Sequence, residues 1–181
     1  FSLIFITSCA FGQINPQNVT IARDQWGVPH IFAKTDPEVA YGLAYAHAED
    51  DFKTIQLICL PAKGKLGKHL GKQGASVDYV VELLHAPELV AAEYETMLSP
   101  DFKKVINGYL QGLNDYAARH PDEVLVKGVF PVTPQDYFKG VVLSLAVISG
   151  VDGTLQQIFG GKVPTLDFLK AAGSNAIAIH K

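Results

Sequence analysis

The chain has 181 residues, 48% of them hydrophobic and 18% charged, with a formal net charge of −3. Such a chain buries a core of its own, which disordered sequences of low hydrophobicity and high charge do not. The slight negative charge leaves no basic footprint for nucleic acid or an anionic membrane surface.

The first residues read FSLIFITSCAFGQ. Phe1 to Ile6 have the character of the end of a leader's apolar region, and Ala10-Phe11-Gly12 fits a small-x-small cleavage site. Residues 1–12 are therefore expected to be a partial signal peptide, with a mature start at Gln13. Two alternatives stand beside it. Ile6-Thr7-Ser8-Cys9 also fits a lipoprotein processing site with Cys9 acylated, and the run also fits a buried N-terminal strand. It is too short for a transmembrane span, which takes roughly 20 apolar residues. The chain holds two cysteines. If Cys9 leaves with a leader, Cys59 has no internal partner and is expected to be a small buried hydrophobe.

Asn18 to Lys34 reads as a hairpin. Val19 and Ile21 alternate with polar residues, Asp24-Gln25-Trp26-Gly27 is a turn signal, and Val28 to Ala33 resumes the strand with Pro29 near its start. Thr35 and Glu38 then form a capping box, with Pro37 suited to a first helical turn. Tyr41, Tyr45, Ala48, Phe52, Ile55 and Cys59 recur at spacings of four and three, which predicts a helix of about 23 residues stopped by Pro61. Glu49-Asp50-Asp51 on that helix reads as a solvated face.

Residues 62–75, with four Lys and four Gly, superficially suggest a phosphate loop. The Walker spacing fails, because Gly71-Lys72 is followed by Gln73 rather than Ser or Thr, and a solvated loop is expected. A second helix is predicted over Val77 to Glu95. A third is predicted from a Ser99 cap to about Arg119, ended by His120-Pro121. Pro131 to Pro134 is a connector, and Gln135 to Ser149 is helical in pattern. Glycines 150, 153, 160 and 161 loosen the chain. Thr165 to Ala172 suits a last short helix, and a new strand starts at Asn175.

Few residues announce chemistry. No two of the six histidines share metal-ligand spacing, and neither HExxH nor a paired CxxC is present, so no metal site is assigned. There is no GxSxG hydrolase elbow. There remains Gly173-Ser174. A serine hydroxyl can attack the preceding carbonyl, and glycine tolerates the backbone distortion this needs. The resulting ester hydrolyses and frees an α-amine on the same serine. That amine has a pKa near 8 and can serve as base for its own hydroxyl.

Three segments carry a family resemblance. The first is residues 19–52, VTIARDQWGVPHIFAKTDPEVAYGLAYAHAEDDF. It holds Arg23-Asp24, Gly27-Val28-Pro29-His30-Ile31, Ala33, Tyr41-Gly42 and Ala48-Glu49-Asp50. The second is INGYLQGLNDYAARHP at 106–121, through Tyr109, Gly112 and Asn114. The third is Gly173-Ser174-Asn175-Ala176. Together they resemble the penicillin acylase family, over most of residues 18–181. The chain departs from the family pattern at Glu49, where the family has an amide, and at Ala44, where it has a second glycine.

The resemblance implies an exported precursor, periplasmic or in the cell envelope, that cuts itself between Gly173 and Ser174. It implies an α+β protein of the αββα N-terminal-nucleophile hydrolase fold. On that reading residues 13–173 are the small subunit, mainly helical with an N-terminal β-hairpin, with or without a spacer peptide at the C-terminal end. Residues 174–181 begin the large subunit, the partner that would supply the oxyanion donors. Ser174 would be the nucleophile that cleaves the amide of an N-acyl substrate, acyl-homoserine lactone or penicillin-like, through an acyl-enzyme. The YAHAED run followed by the Gly-Lys stretch is closer to the acyl-homoserine lactone and aculeacin acylase branch. The family's small subunit gives one wall of the acyl pocket, here Leu145 to Thr154, with Ile148 and Gly150 as the residues singled out. No cofactor is required. Calcium binds some members through a small-subunit Glu, where this chain has Gln156 and Gln157. The competing reading is a non-catalytic exported helical module that binds a lipid-like ligand or a partner protein.

Overall fold

The computed structural model describes residues 13–151 together with 153 and 157. Strands β1 (Thr20–Arg23) and β2 (Pro29–Phe32) pair antiparallel, with Ile21 opposite Ile31 and Arg23 opposite Pro29. Asp24 organises the turn between them. Its carboxylate accepts from the Trp26 N–H at 2.8 Å and the Val28 N–H at 3.0 Å. Gly27 closes the turn at φ +82°, where a side chain would be strained. Two strands alone are marginal in water, so the hairpin needs a floor. Helix α1 (Asp36–Ala62) provides it at Gly42, where an added Cβ would lie 2.6 Å from the Ile31 side chain.

The capping box forms as expected, Glu38 Oε2 accepting from the Thr35 N–H at 3.1 Å. The helix differs from its predicted length. It spans 27 residues, carries Pro61 in its last turn, and breaks at Asp51, which leaves helical geometry at φ −153°, ψ 63°. The Asp51 side chain accepts from the Thr54 N–H at 3.1 Å and so restarts the helix. Periodicity missed the break because the buried positions keep one face across it: Ala44, Ala48, Phe52 and Ile55 share a single core.

That core forms against α5 (Pro100–Arg119), through Leu113, Tyr116 and Ala117. The two helices approach very closely. An added Cβ on Gly112 would sit 2.2 Å from the Tyr41 carbonyl oxygen, and one on Gly108 equally close to that of Pro37. The Tyr41 hydroxyl donates to Asp115 at 2.9 Å across the same seam. Phe52 lies edge-on to Tyr116 at 4.9 Å and stacks on Phe130 at 5.2 Å.

Two expectations between these helices are overturned. Residues 62–75 are not a solvated loop: α2 (Leu66–Leu70) and the start of α3 (Lys72–Leu83) lie there. Gly67 and Gly74 serve close packing, since a Cβ on Gly74 would lie 2.3 Å from the Leu66 carbonyl oxygen, whereas Gly64 and Gly71 hold φ +60° and +62° with open space around them. Asp78 on α3 accepts from the N–H groups of Leu66 and Gly67 at 2.9 and 2.8 Å, capping α2 from a distance. The single helix expected over 77–95 is two, α3 and α4 (Ala86–Met97), divided at His85 with φ +53°. Pro87 in the first turn of α4 is the sequence signal for that boundary.

Helix α6 (Pro134–Ile148) falls where expected, behind a Thr133 cap. It packs on α1, α3 and α4, with Leu143 against Val81 and Ala86. The described residues are thus mostly helical, with one two-stranded antiparallel sheet. Among them no helix is long and apolar enough to cross a membrane. The helix expected at 165–172 and the strand expected from Asn175 lie outside the described residues.

Gly112→Ala should destabilise the full-length protein by about 3 kcal/mol, because rigid backbone carbonyls oppose the new methyl. Gly153→Ala, where a Cβ meets nothing within 4 Å, should be near neutral. Urea-unfolding midpoints of the two variants test the seam, and equal midpoints would contradict it.

Candidate functional site

The motif residues of the first segment converge on one ion-pair hub. Arg23, at the end of β1, donates from Nη1 to the Gly27 carbonyl at 2.8 Å. Its Nη2 meets Glu49 Oε2 at 3.0 Å and Asp50 Oδ1 at 2.8 Å. Its hydrogen bonds to these carboxylates hold the guanidinium more firmly protonated than usual. The acidic run is therefore more than a solvated face. Glu49 and Asp50 tie the hairpin to α1, and Asp51 caps the restart beside them. Asp24 is held below the usual carboxylate range, chiefly by the Trp26 N–H. His30 stands 3.4 Å from Asp24, and His120 stacks on Tyr116 at 4.2 Å. Among the described residues no group of three or more His, Cys, Asp or Glu could hold a metal ion.

A second cluster sets the start of α6. Asn114 on α5 clamps the connector at Val132, accepting its N–H at 2.7 Å and donating to its carbonyl at 3.0 Å. The connector contains a cis Phe130–Pro131 bond. Lys63, one residue past α1, donates to the Pro131 carbonyl at 2.6 Å and lies 3.4 Å from Asp136. Asp136 is buried, 3.0 Å from Lys139, and accepts from the Thr133 hydroxyl at 2.8 Å. Burial alone would push its carboxyl up. Hydrogen bonds from Lys139 and Thr133, with the Lys63 charge, outweigh that and hold it below the usual carboxylate range. Burial, reinforced by the Asp136 charge, pushes the nearby Cys59 thiol up to about 12. This thiol is half-buried, packed against the core but less deeply than the sequence suggested.

The far end of α6 is a different environment. Leu145, Val147 and Ile148 are 58%, 50% and 68% exposed. These residues point in different directions around the helix, and apart from Ser144 its last two turns are apolar. Gly150 ends the helix at φ +80°, its N–H donating to the Val147 carbonyl at 2.9 Å. Its glycine identity is accounted for by this backbone geometry. Ile148 and Gly150 are thus brought together at the tip of α6, which is exposed among the described residues. Gly173 and Ser174 lie outside the described residues.

Sequence reasoning missed the Arg23 hub and the Asp136 cluster. Their signals were present. A lone strand arginine lay upstream of an acidic run, and Thr133-Pro134-Gln135-Asp136 has capping-box spacing with Asp in place of Glu.

The penicillin amidase family model matches residues 18–181. A penicillin G acylase of Escherichia coli is 26% identical over 88% of this chain and 19% of its own length. An acyl-homoserine lactone acylase, PvdQ, of Pseudomonas savastanoi pv. phaseolicola is 26% identical over 80% of this chain and 20% of its own. The chain therefore spans about a fifth of the length of these relatives. Among solved structures, a chain of a thermostable penicillin G acylase from Alcaligenes faecalis superposes with a TM-score of 0.54 at 24% identity. That match covers 90% of this chain and 95% of the other.

Asp136→Ala should destabilise the full-length protein by about 3 kcal/mol at pH 7, since it leaves the Lys63 and Lys139 ammonium groups without their carboxylate. The folded pKa of Asp136 is depressed, so its stabilisation is present above its unfolded value of about 4 and lost as pH falls through the folded value. The stability gap between wild type and variant should be full above about pH 5 and close on acidification. A gap that stays constant down to pH 3 would contradict this reading.

Proposed function

The chain belongs to the penicillin amidase family, and from that premise we propose that it serves an exported, self-processing amidohydrolase acting on N-acyl substrates. The observation that carries the reading is the family match itself, which runs through residue 181 and so includes the Gly173-Ser174 step. The relatives' names, penicillin G acylase and acyl-homoserine lactone acylase, support hydrolysis of a linear amide.

In the proposed chemistry, the Ser174 hydroxyl attacks the Gly173 carbonyl carbon, and the peptide nitrogen leaves as the α-amine of Ser174. Water hydrolyses the ester, giving a Gly173 carboxylate and a free N-terminal serine. In turnover the α-amine takes the Ser174 hydroxyl proton as the oxygen attacks the substrate's amide carbon. It then passes that proton to the leaving amine. Water attacks the acyl-enzyme and releases the free acid. Residues 13–173 act as the small subunit and residues from 174 onward open the large one, within an αββα fold. The large subunit carries the oxyanion donors. Cleavage after Gly12 or acylation of Cys9 accompanies export.

The described part of the chain supports the pocket assignment in one respect. The tip of α6 offers aliphatic surface at Leu145, Val147 and Ile148 with nothing polar in its last turns but Ser144 and Ser149. That surface suits an aliphatic acyl chain, with Ile148 beside Gly150 as wall residues.

The test is N-terminal sequencing of the largest fragment from the protein expressed from its complete gene. The wild type should begin Ser-Asn-Ala-Ile, and Ser174→Ala should remain one chain. If both remain uncut, self-processing at Ser174 is wrong, and the competing reading of a helical binding module takes its place.

A further inference from the structure

Helices α4 and α6 leave an apolar groove of about 250 Å³ between them. Leu89, Tyr94 and Met97 line it from α4, and Phe138, Val141 and Val142 from α6. Close-packed interiors do not leave voids of this size. Leu89 is 49% and Met97 73% exposed, so the groove is open to an occupant. Leu145, at helical spacing from Val141 and Val142, continues its α6 wall toward the end of the described chain. The α4 wall is acidic. Its sequence APELVAAEYETM carries three glutamates and no lysine or arginine. Glu95 is already paired with Lys103 at 2.5 Å, whereas the Glu93 carboxylate meets, among the described residues, the Thr96 hydroxyl at 3.4 Å. Glu88 has His85 at 3.9 Å. The groove thus asks for an apolar segment flanked by cations.

We propose that the occupant is this chain's own segment Lys162 to Lys170, KVPTLDFLK, docked in the groove between α4 and α6. Val163, Leu166, Phe168 and Leu169 supply the apolar content, and Lys162 and Lys170 bracket it. With Asp167 the segment carries a net charge of +1, opposite to that of α4. Its reach is sufficient. The way back from Val151 to Val142 along α6 is nine residues, about 14 Å at helical rise. The eleven residues from Val151 to Lys162 cover about 16 Å if wholly helical, and about 36 Å if extended. Docking places the segment along α6 and pins the chain just ahead of Gly173. It does not depend on cleavage at Ser174, so it stands or falls separately from the proposed function.

Photo-crosslinking in the full-length protein tests it, with benzoylphenylalanine in place of Phe168 and, in a second protein, of Leu166. Irradiation followed by peptide mass mapping should place the crosslink of at least one label within residues 89–98 or 138–145 of the same polypeptide. Lys162→Glu with Lys170→Glu should lower the yield about threefold, the effect of losing two partly exposed charge pairs. The proposal is overturned by crosslinks to residues beyond 181, by crosslinks between two copies, by an unaltered yield in the charge-reversed protein, or by no crosslink at either position.

Discussion

Helices α1 and α5 touch backbone to backbone, and the connector and the start of α6 are placed from that contact. With no side chain at Gly108 and Gly112, the carbonyls of Pro37 and Tyr41 approach to distances that any Cβ would forbid. The approach brings Phe52 onto Tyr116 and buries Ala44 and Ala48. It also sets Asn114 where it can hold Val132 from both its N–H and its carbonyl. Breaking that clamp would leave two backbone groups without partners, at about 1–3 kcal/mol each if they stay buried. From Val132 the connector leads directly into the Thr133 cap and α6. The tip of α6 is therefore positioned by a chain of contacts that begins at two glycines.

The residues by which the chain resembles its family have mostly structural duties within the described part. Arg23 and Asp24 tie and shape the hairpin. Gly42 lets the hairpin settle on α1, and Gly112 and Asn114 build the seam and the connector clamp. Glu49, in place of the family's amide, keeps an acceptor for Arg23 and adds a charge to it. Ala44, in place of a glycine, is fully buried in the α1–α5 core, so the seam there tolerates a methyl. This division explains how the motifs of the first two segments identify the family through the frame they build. The self-cleavage proposed at Gly173-Ser174 would need a rigid frame to hold the serine against the preceding carbonyl, and these residues stiffen the described part of the chain.

The hairpin and α5 were legible in the sequence because each begins with a local signal, the Asp24–Gly27 turn and the Ser99 cap, and α6 was legible from its apolar helical pattern. What was not legible depended on contacts remote in sequence. Residues 62–75 looked like a loop because lysine and glycine dominate them, yet Asp78 supplies the missing cap and the glycines allow α2 and α3 to touch. The kink at Asp51 was hidden because it preserves the buried face. Of the candidate site, Ile148 and Gly150 stand together at the end of α6. The structure adds that Gly150 has a backbone reason for its identity and that the surrounding surface is exposed among the described residues.

The tip of α6, tied to the α1–α5 frame through the Asn114 clamp, is the wall proposed for an acyl chain. The most direct measurement is the acyl-chain-length profile of kcat/KM for N-acyl amide hydrolysis by the processed full-length protein, wild type against Ile148→Phe. A side chain that lines the pocket should shift the preference toward shorter chains, lowering the long-to-short ratio by about tenfold. A profile identical in shape for the two proteins would contradict the account, and so would the absence of amide hydrolysis in the processed wild type.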